Sequence, residues 1–452
     1  MRKRLTATML ATTMLAMPAG ARAQVMSAEE AAALRGELAS LRAKVDAIEA
    51  RLGSAPLAPA GASASPSDPA PQEANKSAAE TVWNGAPEIK TAHGWSFKPR
   101  GRMQLDVASV EAPAGTGIRG GPATEFRRVY LGVDGKIPGG FSYRVEADFA
   151  NEAVELTDVY LTYGTGALSV TAGQIKPFWS LDEMTSDLFT SAMERAAFSQ
   201  AFGFERRVGL SAQYKGAALL LQGGVFGANA RELFDDDNRS VSVDARAVWM
   251  PKTKDVQWHL GASFHSRDLG DPAATLRYRA RPFAHTTDVR LIDTGDIEAK
   301  GERGMGLEAA VIAGPFHAAG EAYWQTVRRR AAADPTWFGG YAEVGAVLTP
   351  GDRRGYKEGA FDRLKPLRPI TEGGIGAVEM NARYDYLDLN DKGVAGGRQQ
   401  AMLLSLVWAP IDFVRLTANF GKLWINDSPI AAATGERDYS AETFGLRTQI
   451  DF

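Results

Sequence analysis

The chain has 452 residues, no cysteine and a formal net charge of −3. Without cysteine there is neither a disulfide framework nor a thiolate metal site, and an acidic balance argues against a nucleic-acid binder. A content of 45% hydrophobic residues with 41 aromatics excludes disorder of the whole chain; the one long apolar run is too short and wrongly flanked for a helical span.

That run opens the chain and reads as a signal peptide over 1–23. Arg2–Arg4 is the basic start, Leu5–Met17 the apolar stretch, and Ala21-Arg22-Ala23 the small-residue cleavage site before Gln24. Next comes a helical segment within 24–52. Leu34, Leu38, Leu41, Val45, Ile48 and Leu52 follow the alternating 4,3 spacing of an a/d seam. Three heptads are not stable alone in water, so the seam implies a partner helix and a periplasmic coiled coil. An amphipathic helix on the protein's own surface is the alternative. Residues 53–94 read as a linker: five prolines among Ala, Ser and Gly between 56 and 71 leave little to bury.

From Trp95 onward the hydrophobic period becomes two. Phe141, Tyr143, Val145, Ala147 and Phe149 alternate with Ser142, Arg144, Glu146 and Asp148. Val378, Met380, Ala382, Tyr384 and Tyr386 alternate with Glu379, Asn381, Arg383 and Asp385. This is strand periodicity. A soluble sandwich and a transmembrane barrel both produce it. Strands of about ten residues, charges on the polar face, and turns that alternate short and long favour the barrel. The long connections fall near 112–124, 178–206, 230–240, 270–304 and 428–440. The count is sixteen antiparallel strands over 95–452, about 22 residues for each strand and its connection, with a doubtful extra stretch at 275–281. The fold expected is an all-β, 16-stranded barrel with an N-terminal coiled-coil helix.

The last strand carries the sharpest signal. Phe444, Leu446, Thr448, Ile450 and Phe452 share one face, and Phe452 ends the chain. A terminal amphipathic strand closed by Phe matches the signal read by outer-membrane assembly machinery.

Ordered segments then resemble one family. They include Phe97-Lys98-Pro99-Arg100-Gly101-Arg102, Glu125-Phe126-Arg127-Arg128-Val129-Tyr130-Leu131 and Gly173-Gln174-Ile175-Lys176-Pro177-Phe178. Met193-Glu194-Arg195, Phe361-Asp362-Arg363-Leu364-Lys365-Pro366 and the run from Ala382 to Asp391 follow in order. The set resembles the phosphate- and pyrophosphate-selective porins (O/P porins) of the Gram-negative outer membrane. The resemblance implies a homotrimer of barrels passing small anions, with phosphate or polyphosphate as candidates, among outer-membrane lipid and lipopolysaccharide. It implies that a loop near 178–206 and a connection near 352–375, placed near the fourteenth strand, fold into the lumen. It also points to Arg102, Arg127, Arg128, Arg195, Arg279 and Arg281 as the anion path, and to Asp158 as an acid of the binding region.

From the residues themselves, Arg277, Arg279 and Arg281 recur at every second position. If extended they form a three-rung cationic ladder. Lys98, Arg100, Arg102, Arg128, Arg144, Arg246, Arg267, Arg329, Arg383, Arg415 and Arg447 fall on the inferred lumen face, against ten acids. Cationic side chains along a low-dielectric wall select anions, but pairing with wall acids explains them equally well. The 178–206 loop carries Glu183 and Asp187 where the selective members carry lysines. Carboxylates there are expected to repel phosphate and leave only modest anion preference. Arg195 is expected to project from the loop into the channel.

No cofactor or metal is expected. The five histidines have no ligand spacing and no G-x-S-x-G occurs, so no enzyme is indicated. Asp235-Asp236-Asp237-Asn238 fits a solvated external loop or a Ca²⁺ site between lipopolysaccharides. A rival reading is structural: the coiled coil on its linker tethers the outer membrane to the cell wall, with a non-selective pore secondary.

Deleting Phe452 should leave export intact and lower the amount of barrel inserted in the outer membrane. Fractionation and immunoblotting would check this; a truncated chain present at normal outer-membrane level contradicts the assembly-signal reading.

Overall fold

The computed structural model describes residues 79–452 except 151–152, 233–238 and 272. The signal peptide, the coiled coil of 24–52 with the tether reading built on it, most of the linker and the run 235–238 lie outside the described residues.

Sixteen strands form the barrel: β1 (Ser96–Glu111), β2 (Pro122–Ile137), β3 (Phe141–Asp148), β4 (Glu155–Thr165), β5 (Leu168–Ile175), β6 (Arg207–Lys215), β7 (Leu219–Phe226) and β8 (Val241–Trp249). The circuit continues with β9 (Val256–Asp268), β10 (Ile297–Ala313), β11 (Phe316–Arg329), β12 (Thr336–Val347), β13 (Ala377–Asp391), β14 (Val394–Ile411), β15 (Val414–Asn426) and β16 (Tyr439–Asp451). Each pairs antiparallel with its sequence neighbours, and β16 pairs with β1 over Glu442↔Glu111 to Asp451↔Arg102. The sheet therefore closes and leaves no edge. Strands run from 8 to 18 residues, so the longest exceed the expected ten. Residues 275–281 are no barrel strand. They split into two short pairings, Thr275–Leu276 on β10 and Arg279–Ala280 on Ile292–Asp293.

The alternation read in the sequence maps onto the two faces. On β13, Met380 and Tyr384 point out while Glu379, Asn381, Arg383 and Asp385 are buried inside. The outward face is apolar and fringed by aromatics. Trp324 and Phe338 (centroids 5.3 Å apart) stand near one rim, and Phe141 and Tyr163 (4.9 Å) near the other. Such girdles mark the two bilayer interfaces.

Connections alternate in length. The end that holds Ser96 and Phe452 carries short links such as Gly314–Pro315, and the opposite end carries the long loops. There are two exceptions: the loop-end link between β13 and β14 is only Lys392–Gly393, and the other lies at the turn end. Residues 348–376, between β12 and β13, form a long segment at the turn end, so the inward-folding connection expected near the fourteenth strand joins the twelfth to the thirteenth. Its hairpin, Gly355–Lys357 with Ala360–Asp362, enters the lumen.

One boundary is corrected. Residues 80–90, taken above as linker, form a hairpin, Glu80–Asn84 with Ala86–Lys90, whose second strand continues onto β1 through Ile89↔Phe97. Trp83, Val82 and Ile89 supply the β-forming side chains that the proline-rich stretch lacks.

Gly101 sits opposite the chain end. Its N–H donates to the Phe452 carbonyl (3.2 Å) and its carbonyl accepts from the Phe452 N–H (3.0 Å). A Cβ at Gly101 would lie 2.4 Å from the Phe452 ring, so the aromatic packs where a side chain is missing. Gly101→Val should displace the ring and cost about 1–3 kcal/mol, as overpacking does. The check is the temperature at which the folded barrel converts to its unfolded mobility in SDS gels, which should fall.

Candidate functional site

The barrel is not an empty tube. The loop 176–206, between β5 and β6, crosses the interior and lies against the wall formed by β11–β16, β1 and β2. It holds two short helices, α1 (Leu181–Met184) and α2 (Ala197–Phe202), and buries Trp179 ahead of α1 and Phe198 and Phe202 of α2. Trp179 meets Tyr323 of β11 at 4.9 Å, and Phe198 stacks on Tyr341 of β12 at 6.3 Å. This half of the lumen is a hydrophobic core.

A loop in that position must satisfy its own backbone. The wall does so with charge of the appropriate sign. Carboxylates take the amides: Glu321 accepts from Leu181 N (2.8 Å) and Asp182 N (2.7 Å), and Asp385 from Ala197 N (3.1 Å). Guanidiniums take the carbonyls: Arg415 donates to Leu188 O (2.6 Å) and Thr190 O, Arg354 to Phe189 O (2.6 Å), and Arg447 to Met193 O. The inner hairpin meets the loop, with Phe361 N donating to Thr185 Oγ1 at 3.2 Å. Arg246 of β8 fixes the hairpin by donating to Gly359 O at 2.7 Å.

The open space is therefore on the other side. A cavity of about 790 Å³ is lined by β1–β7, the loop and the inner hairpin. Its wall carries nine cationic and eight anionic side chains, among them Lys98, Arg100, Arg102, Arg144, Asp134 and Asp158. Most are paired. Arg100 holds Asp134 (2.9 Å) and Glu146 (2.8 Å). Arg144 holds Asp134 (2.7 Å), and Asp158 takes Arg206 at 2.6 Å. Lys98 forms no ion pair among the described residues.

Two β-bulges aim this network. Gln104 faces Arg128 while Leu105 faces Phe126, so Arg127 is the extra residue of β2. Strict alternation would send Arg127 and Arg128 to opposite faces. With the bulge both turn inward, Arg127 onto Glu194 (3.1 Å) and Arg128 onto Asp187 (2.7 Å). A second bulge opposes Glu146 to both Thr157 and Asp158, and both side chains face the lumen.

The loop acids are corrected by this geometry. Glu183 and Asp187 do not present bare carboxylates to the lumen. Glu183 is held by Lys176 (2.5 Å) and Arg195 (3.1 Å), and Asp187 by Arg102 and Arg128. Burial opposes the charge on Asp187, yet Arg102 and Arg128 hold its carboxyl well below the usual range. Burial likewise opposes Glu183, and Arg195 and Lys176 outweigh it. Arg195 does not project: besides Glu183 it donates to Thr185 O at 2.8 Å and fastens the loop to itself. Burial, together with Arg195 and Arg206, pushes the Lys176 ammonium down to about 8 against the pull of Glu183.

At the loop end, Arg277, Arg279 and Arg281 do alternate with buried Tyr278 and Ala280. Two rungs are taken. Arg277 is forked onto Asp293 (2.8 and 2.7 Å), and Arg281 reaches Asp288 (3.2 Å). Arg279 has no such partner among the described residues. Arg290, which the sequence reading missed, joins them. Burial and the charges of Arg281 and Arg279 push its guanidinium down to about 10. Nothing in its local spacing marks it, because residues 282–289 carry it back. Arg329, placed on the lumen face above, is instead spent at the loop-end rim on Ala333 O (2.8 Å) and Lys392 O (2.9 Å).

Residues 97–452 match the family described as phosphate-selective porin O and P. A Caulobacter vibrioides protein of uncharacterised function is 42% identical over 454 residues, covering 94% of this chain and 91% of that one. Among solved structures, the trimer form of Vibrio cholerae OmpT, folded in vitro, is similar with a TM-score of 0.52. It is 10% identical, covering 79% of this chain and 99% of that one. The anion-selective porin of Comamonas acidovorans is similar at 0.50, 11% identical, covering 79% and 100%. At such identities the likeness is one of fold.

Asp187→Ala should free one anchor of the loop and leave Arg102 and Arg128 facing each other. Removing one partner of a buried pair costs about 3–5 kcal/mol, or about a hundredfold or more in local opening. Hydrogen–deuterium exchange of the 181–197 amides should accelerate accordingly, with the strand amides unchanged.

Proposed function

The chain belongs to the phosphate-selective porin O and P family of outer-membrane channels, and from that premise we propose that it passes small anions by diffusion with a modest charge preference. The observation that carries this reading is the charge balance where loop and wall meet. Seven cations (Arg100, Arg102, Arg128, Arg144, Lys176, Arg195 and Arg206) surround five acids (Asp134, Glu146, Asp158, Glu183 and Asp187). The surplus is cationic, and a low-dielectric wall amplifies it. The arginines at Arg102, Arg127 and Arg128 act by holding the loop and setting this field. Arg279, with Arg281 and Arg290 behind it, is the group an incoming anion meets at the loop end. Strong phosphate retention is not part of the reading, because six of the nine cations of the cavity are already shared with a carboxylate.

The finer organisation belongs to the same proposal. Residues 1–23 direct export and are removed, the 24–52 coiled coil stands in the periplasm, and the chain is a homotrimer. The long loops then face outward and the short turns the periplasm, as in bacterial outer-membrane barrels. The trimer form of the Vibrio cholerae protein, which shares the fold, supports the homotrimer.

Single-channel recording across a KCl gradient should give a reversal potential on the chloride side. Lys176 makes the preference pH-dependent. Its ammonium, with a pKa near 8, is charged at pH 7 and neutral at pH 9, so the chloride-to-potassium ratio should fall over that interval. Lys176→Met should start at the lower ratio and lose the step. Arg279→Ala with Arg290→Ala should lower the ratio at both pH values, less so at 1 M salt, where screening shortens to about 3 Å. A cation-selective wild type overturns the reading.

A further inference from the structure

The turn-end connection between β12 and β13 does two things. Its first part forms the inner hairpin. Its second part starts at the rim of a turn-end cavity, which Leu367 lines, and ends on the outward-facing Trp408 of β14, and nothing in the channel reading accounts for it. From Leu367 to Ile375 it carries large apolar side chains that touch little: Leu367 is 65% exposed, Ile370 50% and Ile375 67%. These values are in the range of the outward residues on the two flanking strands, Val344 at 60% and Met380 at 53%. A water-facing surface seldom carries three such side chains within nine residues.

The excursion is also built rather than loose. Its start is held by Leu367 N donating to Asp352 (2.7 Å). Its two ends are tied by Gly376 N to Arg368 O (3.1 Å), with Gly374 N to Pro369 O (3.0 Å) inside that closure. Its height is fixed by Trp408 of β14, whose indole N–H donates to Ile375 O at 2.8 Å. Trp408 faces outward, and outward tryptophans at a barrel rim sit at headgroup level. Gly376 has φ +77, and a Cβ there would lie 2.4 Å from Ala409 O, so the segment is seated flush on the end of β14. The exposed apolar side chains are therefore continuous with the lipid-facing band.

Charge completes the pattern. Arg353, Lys365 and Arg368 are exposed, and none has a carboxylate partner among the described residues; of the exposed acids of this connection, Glu358 is spent on Lys215 and Glu372 remains. Apolar side chains at headgroup depth beside unpaired guanidiniums are the arrangement of an interfacial anchor on anionic lipid.

We propose that Leu367–Ile375 is a lipid anchor: Leu367, Ile370 and Ile375 enter the leaflet on the turn end of the barrel, and Arg353 and Arg368 engage the phosphate of anionic phospholipid headgroups there. This stands independently of the anion preference.

The absence of cysteine makes the test direct. Single variants Leu367→Cys, Ile370→Cys and Ile375→Cys in the full chain take a nitroxide label, with Val344→Cys as the lipid-facing reference and Thr434→Cys as the loop-end aqueous one. After reconstitution into phosphatidylethanolamine–phosphatidylglycerol vesicles, collision with oxygen and with a water-soluble nickel chelate reports depth. The three labels should follow Val344, favouring oxygen. In phosphatidylcholine vesicles the Ile370 label should become shallower, and Arg353→Gln with Arg368→Gln should remove that difference between lipids. Nickel accessibility equal to that of Thr434 overturns the anchor. So does shielding from both reagents with dipolar broadening between labels, which would mean that a second copy covers the segment. Equal depth in the two lipids overturns the assignment of the arginines. Unchanged SDS-gel heat stability of the variants shows that the barrel itself is intact.

Discussion

Everything inside this barrel depends on one constraint: a stretch of irregular backbone placed at membrane depth must find a partner for every N–H and C=O. The loop 176–206 cannot use a neighbouring strand, since the barrel is closed. It uses wall side chains instead, acids on its amides and guanidiniums on its carbonyls. An arginine suits this role because its fork reaches two acceptors at once and stays charged at any working pH. Arg415 and Arg447 each span two groups of the loop and its acids in this way.

The consequence is a division of labour among charges that look alike in the sequence. Arg383, Arg415 and Arg447 are structural: each is buried between β13–β16 and the loop. Arg100, Arg144 and Arg206 line the open half and share their acids with one another. Lys98, Lys357 and Lys365 in the cavity, and Arg279 and Arg290 at the loop end, form no ion pair among the described residues. The loop aromatics sharpen the division, since Trp179, Phe198 and Phe202 fill one side of the lumen and confine the water to the other. The width of the open half and its charge balance thus rest on the same anchoring contacts, because whatever loosens the loop also rearranges the ion pairs.

The two insertions reach each other from opposite ends of the barrel. The inner hairpin brings Arg354 over the Phe361 ring (4.5 Å) and onto Phe189 O of the loop. A turn-side segment and a loop-side segment therefore brace one another, and the narrow region has support from both rims. The remainder of the turn-side connection closes on the end of β14, where the proposed lipid anchor would let one connection serve both the lumen and the bilayer.

The period-two alternation, the turn spacing and the terminal Phe452 were enough to determine a sixteen-stranded barrel and which face of each strand meets lipid, because in a barrel those follow from local pattern alone. The hairpin at 80–90 was missed because its five-residue strands adjoin a proline-rich run that obscures them. Arg127 beside Arg128 could be read as one inward and one outward residue; only the bulge in β2, a property of how β1 and β2 pair, turns both inward. Glu183 and Asp187 read as repulsive acids because their partners, Lys176, Arg195, Arg102 and Arg128, are 7 to 85 residues away in the chain. Composition determined how many charges the lumen holds. Which of them remain free was decided by the tertiary structure, since charges neutralise one another according to distance in space, and the strand register sets that distance.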